Sequence, residues 1–266
     1  MKRKILAGAV LLLLATAATA YAFHVHVVEG NLVLDAEGGF APKALPKHKN
    51  APIKAWGGGK ISTVSGELPP ILKGFVLEFD KHGAVDTVGL PHCTRGKLVA
   101  TTVAVARKAC GDAIIGEGFG SAVVKLPEQG PIKVGSPITL FNGPKKGGDD
   151  TVLAHAHLDF PAPTTFIVPI VIERIHKGVF GYRINVQIPK IAGGYGHPIS
   201  GHAKVGRMWT YKGRQHSYIS ARCETGHFQA RGEFTFKSGP EESAQQIEEA
   251  QDVLHANFFL PCQVAK

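Results

Sequence analysis

The chain has 266 residues, of which 19% are charged and 44% hydrophobic, and a formal net charge of +9. Its basic residues are scattered and no nucleic-acid module accompanies them, which argues against nucleic acid as a partner. With 32 glycines and few charges, the composition fits many strands joined by tight turns.

Met1-Lys2-Arg3-Lys4 opens the chain, an apolar run covers residues 5–14, and small residues lead to Ala20-Tyr21-Ala22. A basic start, a short apolar middle and an A-x-A end predict a secretory signal peptide over residues 1–22. Cleavage is expected after Ala22, with Ala20 the near alternative. The apolar run is short for a spanning helix, which needs about 20 residues, and no second spanning segment is seen. Loss of Lys2, Arg3 and Lys4 lowers the formal charge from +9 to +6. A mildly basic exported protein can lie against an acidic cell-wall polymer or lipid surface.

Residues 23–266 then suffice for one large all-β domain. Residues 24–34 alternate as a first strand. Residues 42–52, rich in proline and lysine, read as an extended surface loop, and residues 60–66 and 74–81 as two strands broken by Pro69-Pro70. Residues 102–110 suit a short helix or a turn. Residues 113–126 form a long strand whose Gly116, Gly118 and Gly120 share one face, leaving room for close backbone approach. Their spacing is not that of a dinucleotide-binding loop. A strand over residues 136–141 leads into residues 142–150, a turn or linker that marks the boundary if the domain is divided.

The stretch from 164 to 223 holds the centre of the pattern. Phe180, Tyr182, Ile184, Val186 and Ile188 alternate with polar or small neighbours, as in an antiparallel strand covering a core. Tyr211-Lys212-Gly213-Arg214 is a hairpin tip. Phe228, Ala230, Gly232, Phe234 and Phe236 alternate in the same way. Ile247, Ala250 and Leu254 fall at i, i+3 and i+7, which predicts an amphipathic helix over residues 241–256, and residues 258–262 make a last short strand. The expected fold is all-β, an antiparallel β-sandwich or barrel-like domain with one late amphipathic helix.

Four cysteines in an exported chain suggest two disulfides, for which three pairings exist. Cys93–Cys110 with Cys223–Cys262 is favoured, because each closes a local loop. The cysteines lack the close spacing of a zinc site.

His155, His157 and Asp159 alternate with apolar residues, so three metal-capable side chains share one strand face at intervals of about 7 Å. Their order resembles the ligand motif of metallo-β-lactamases, but Phe160 stands where that motif has a histidine and no α/β pattern surrounds it. His24 and His26 make a second H-x-H. No G-x-S-x-G nucleophile elbow occurs. Glu173, Glu224 and Glu233 are available as glycosidase-type carboxylates, and Trp56, Tyr195, Trp209 and Tyr211 as aromatic binding platforms.

Several stretches together, GGFAPKALPKHKNAPI (38–53), SPITLFNGP (136–144), PTTFIVPIVI (163–172), IPKIAGGYG (188–196) and SYISARC (217–223), resemble a group of exported actinobacterial proteins without an assigned function. The resemblance implies export, a β-rich fold and disulfides, and it implies no catalytic residues. The expected function is therefore a binding or structural role in the cell envelope or extracellular space, without a cofactor and with a cell-wall or extracellular polymer as partner. The alternative is an exported hydrolase, metal-dependent through His155, His157 and Asp159.

Overall fold

The structure, a computed structural model, describes residues 22–237 and 251–265. The predicted leader lies outside them except for Ala22. The first strands are β1 (Ala22–Glu29), β2 (Leu32–Ala41), β3 (Ala44–Leu45), β4 (Ala51–Pro52), β5 (Lys54–Thr63), β6 (Leu72–Asp80) and β7 (Gly83–Val85). Two short helices follow, α1 (Arg95–Leu98) and α2 (Val103–Ala109). Then come β8 (Ile114–Val124), β9 (Ile132–Lys146), β10 (Asp149–Leu158), β11 (Thr164–Lys177), β12 (Phe180–Gln187) and β13 (Gly196–Val205). The chain ends with β14 (Met208–Tyr211), β15 (Arg214–Ser217), β16 (Ile219–Ala221), β17 (His227–Lys237), β18 (Gln251–Pro261) and β19 (Gln263–Val264).

Twelve of these strands form one antiparallel sheet in the order β1-β2-β5-β13-β8-β9-β10-β11-β12-β6-β17-β18. The sheet curls until its ends meet, nearly closing a barrel. The Phe23 and Phe258 rings lie 5.1 Å apart, and a Glu29 carboxylate oxygen accepts the His255 backbone N–H at 2.9 Å. Curling relieves the sheet of two bare edges.

Register assigns the two faces. Ile172, Ile184, Leu77, Gly232 and Ala256 form one row across five strands. Ala256 packs with Leu34 and Ile61 from the far side of the sheet, so this face looks inward. The next row is Glu173, Arg183, Glu78, Arg231 and Asn257, on the outer face. The alternation visible in the sequence is thus the alternation between lumen and exterior.

Long connections gather at one end of the barrel. Strands β4, β16 and β7 make a small sheet there, beside the β14–β15 hairpin. Leu90, Tyr218, Trp209 and Ile219 from these segments pack on Leu140, Val152 and Ile172 of the inner face and plug that end. On the outer face, Leu98 and Ala106 of the two helices cover Phe141 and Leu153. Disulfides Cys93–Cys110 and Cys223–Cys262, with Cα separations of 5.6 and 5.9 Å, fasten these connections.

Several expectations are refined. Residues 24–34 form two strands, because Gly30, at φ 59°, turns the chain between β1 and β2. Residues 142–150 form a hairpin in which Gly147 and Gly148, both at positive φ, join β9 to β10. Strands from before and after it share the one sheet. The helix expected over 241–256 is corrected in its second part. Residues 251–256 belong to β18, which pairs with β17 residue for residue and buries Leu254, Ala256 and Phe258 at period two. Ladder pairing with β17 overrides the weak helical spacing. Residues 241–250 lie outside the described residues. The close approach allowed by the β8 glycines comes from β13, since a Cβ on Gly118 would sit 2.2 Å from the His202 carbonyl oxygen.

Loop-closure entropy assigns roughly 3 and 4 kcal/mol to Cys93–Cys110 and Cys223–Cys262. Calorimetry on the paired variants Cys93→Ser/Cys110→Ser and Cys223→Ser/Cys262→Ser is expected to show lowered melting temperatures, more so for the second pair. An unchanged melting temperature for either pair would refute that assignment.

Candidate functional site

His155 is fully buried on the outer face of β10, beneath the residues that link α1 to α2. Its Nε2 lies 3.0 Å from Thr101 Oγ1 and 3.1 Å from the Thr101 carbonyl oxygen. A carbonyl only accepts, so Nε2 carries the proton and Nδ1 is the bare nitrogen. Thr165 donates its hydroxyl to the same carbonyl at 2.9 Å. The histidine and threonine together seat the α1–α2 link on the wall. Burial pushes the His155 imidazole below its ordinary value, against the opposing effect of its hydrogen bond to Thr101.

His157 points its Nδ1 at Thr165 Oγ1, 3.0 Å away, and its Nε2 lies 3.4 Å from an Asp159 carboxylate oxygen. Asp159 is 92% exposed. The three expected ligands therefore grade from a sealed wall into open solvent. Among the described residues, no group of three or more His, Cys, Asp or Glu side chains is placed to hold a metal ion. His24 and His26 face Glu37 and Asp35 across the strands, and His26 Nδ1 meets Asp35 at 2.6 Å.

The carboxylates are also dispersed. Glu173 and Glu233 lie on β11 and β17, three strand spacings apart in the sheet order. That is about 14 Å, too wide for a glycosidase pair. Glu224 sits at the plugged end, where His82 Nε2 approaches it at 3.0 Å and Arg222 Nε donates at 3.2 Å. The Arg222 hydrogen bond holds Glu224 below its ordinary value. Asp80 Oδ1 lies 2.7 Å from His82 Nδ1, but takes its aligned hydrogen bond from the His82 backbone N–H at 2.9 Å. The side-chain contact is thus a close approach across a turn without hydrogen-bond alignment.

The outer-face row hides a buried carboxylate that the sequence did not single out. Glu78 accepts from Arg183 Nε and Nη2 at 3.0 and 2.7 Å on one oxygen, and from Arg231 on the other. Burial pushes its acidity down, yet the two arginines outweigh that and hold the carboxyl below its ordinary value. Arg231 in turn lies over the Phe180 ring at 4.7 Å. Each arginine keeps a partly exposed guanidinium, so the cluster joins three strands.

Of the four expected aromatic platforms, two serve the plug. Trp209 Nε1 donates to the Val88 carbonyl at 3.0 Å and stacks on His216, which is held by Asp86 at 2.7 Å. Tyr211 lies on Gly89, where a Cβ would meet the ring at 2.2 Å. Trp56 stands on the wall, opposite Gly39 and Lys204. Tyr195, 38% exposed, reaches the opposite mouth of the barrel.

Among the described residues, that mouth holds a half-open depression of about 730 Å³. Tyr195 and His197 line it together with Lys125, Lys237, Glu67 and Ile71. Four separate segments meet there. Lys125 follows β8 and donates its backbone N–H to the Tyr195 carbonyl at 3.0 Å. Lys237 ends β17 and donates likewise to Ile71 at 2.9 Å. Ala192 and Gly193 take left-handed conformations, turning the chain so that Tyr195 comes to the rim. His197 Nδ1 donates to the Pro69 carbonyl at 2.7 Å, which leaves Nε2 as its free ring nitrogen. No sequence motif joins these residues; the Pro69-Pro70 break and the glycines before Tyr195 were the only local signals.

Compared with family models, curated proteins and solved structures, the chain matches none of them.

Because the folded protein favours neutral His155, this group adds stability that is complete above the ordinary histidine range. That stability is lost as the pH falls through the range toward the lower folded value. Replacing His155 by Gln keeps a donor for Thr101 and removes the titration. Melting curves from about pH 8 to pH 5 should show a shallower loss of stability in His155→Gln than in the parent protein. Parallel curves would refute the assignment.

Proposed function

We propose that this chain is an exported binding protein of the cell envelope or extracellular space, with its ligand held at the end of the barrel opposite the plug. The cleft beside Tyr195 and His197 carries the reading. It is a concave site at which the connections between barrel strands converge, with His197 and Lys237 held on strands β13 and β17. The plug and both disulfides stiffen the other end of the barrel. Disulfides belong to oxidising compartments, and the leader-like start and the resemblance to exported proteins support the same location. Among the described residues, no helix is long and apolar enough to cross a membrane. The basic balance of the chain suits an acidic envelope polymer as the surface on which it works.

Native mass spectrometry of protein recovered after export tests the reading. The expected mass starts at Phe23, lacks four hydrogens and includes a retained small molecule. Tyr195→Ala and His197→Ala should lose that molecule, Tyr195→Ala without a change in melting temperature. A chain that keeps its leader, or a retained molecule indifferent to both substitutions, would overturn the proposal.

A further inference from the structure

We infer that the outer wall over β5, β13 and β8 is a docking surface for an acidic polysaccharide. This rests on the envelope location proposed above and names the chemistry of the polymer met there.

Register fixes what this wall presents. Glu37, Gly58, His202, Phe119 and Pro137 form one row from β2 to β9. The next row of the same face, toward the plug, is Gly39, Trp56, Lys204, Glu117 and Thr139. Thr139 stands opposite His155, so both rows face outward.

Two rings lie along this surface instead of standing from it. Phe119 leans over Gly135 of β9, where a Cβ would sit 2.7 Å from the ring. Its ring stacks on His202, with centroids 6.3 Å apart and planes at 21°. His202 in turn borders Gly58, where a Cβ would sit 2.6 Å from the His202 Cβ. Glycine weakens a strand, and here it leaves bare backbone beside the rings. Phe119 is 40% exposed, and Trp56, partly exposed, lies in the adjoining row. Apolar side chains exposed singly are ordinary, whereas these rings are grouped over glycines as a platform. An aromatic face is negative, and one face of a sugar ring is made of C–H groups. Such a face settles on a ring that lies flat. The Ser121 and Ser200 hydroxyls, 2.5 Å apart beside the platform, are placed to meet sugar hydroxyls. Protein partners are gripped by side chains seated in pockets; rings laid on backbone suit a ribbon of sugars.

Charge selects the acidic class. Asp35 is met by His26 at 2.6 Å and Glu117 by Arg107 at 3.7 Å, and Glu37 faces His24. At the plug end of the strip, Lys54, Lys204 and Arg207 line a hollow of about 230 Å³ with Glu117. Among the described residues, none of these three cations has a carboxylate partner. The Lys54 stem crosses Gly206, where a Cβ would sit 2.6 Å from Lys54 Cγ. Carboxylates along a chain of sugars meet these cations while its rings stack on the platform.

The test is isothermal titration of the oxidised protein from residue 23 onward. Its probes are oligogalacturonate, the methyl ester of oligogalacturonate, dextran and poly-L-glutamate, matched in length. Oligogalacturonate should bind at least about fivefold more tightly than each of the others. Phe119→Ala should weaken it by about fivefold or more, and Phe119→Tyr should restore it. Lys204→Gln should weaken it and flatten its dependence on salt. Tyr195→Ala, at the mouth, should leave it unchanged. Methyl ester binding as tightly would overturn the acidic class, and poly-L-glutamate binding as tightly would overturn the sugar. An unchanged affinity in Phe119→Ala would overturn the platform. If no probe binds, the docking surface is refuted and the ligand at the mouth is untouched. A leader still present in native mass spectrometry refutes instead the location on which both rest.

Discussion

A twelve-stranded sheet that rolls up must fill the space it encloses, and most of this chain's architecture follows from that need. Large barrels leave a lumen that their own inward side chains do not fill. Here part of the inward row is small, with Gly232 and Ala256 beside Leu77 and Ile184. At one end the remaining space is taken by Tyr218, Leu90 and Trp209, carried in on the long connections. Apolar burial drives those connections inward, and the disulfides, the Trp209–His216 stack and the Asp86 contact hold them in place.

The polar exterior is organised by the same register. Glu78 lies on the outer face, yet it is nearly inaccessible because Arg183 and Arg231 reach over it from the strands on either side. Charge is thus used across the strands as a stitch, two cations to one anion. Its partners stay partly in water, which limits the desolvation that a fully buried pair would suffer. The histidines follow a similar logic. His155, His157, His82 and His216 each meet a hydroxyl, carbonyl or carboxylate that fixes a connection to the wall.

Local pattern made much of this fold legible. The alternation at Phe180–Ile188 and Phe228–Phe236, the hairpin tip at Lys212-Gly213 and the short cysteine loops all report interactions between near neighbours in sequence. The curl of the sheet does not. It depends on β1 meeting β18, and on β13 entering between β5 and β8, pairings that no local pattern encodes. Leu254 shows the limit well. Its spacing from Ala250 and Ile247 suits a helix, but eleven ladder pairs with β17 settle it as strand. The site was less legible than the fold. His155 and His157 lie on the outer face of β10 and Asp159 just past its end, and the link at Thr101 covers the first and leaves the last in solvent. Tyr195 could be singled out as an aromatic, whereas Lys125, His197 and Lys237 become its neighbours only when distant strand ends converge.

The meeting of the first and last strands also orders the birth of the molecule. A chain made from its N-terminus can close the Cys93 loop and zip β8 to β12 while later residues are still being added. It cannot seal the barrel, because β1 must wait for Phe258 and His255 to arrive. Cys223 must likewise wait for Cys262, 39 residues further on. Until then the inner face stands open and adhesive. Any early stop within β18 leaves an unclosed sheet with a bare edge.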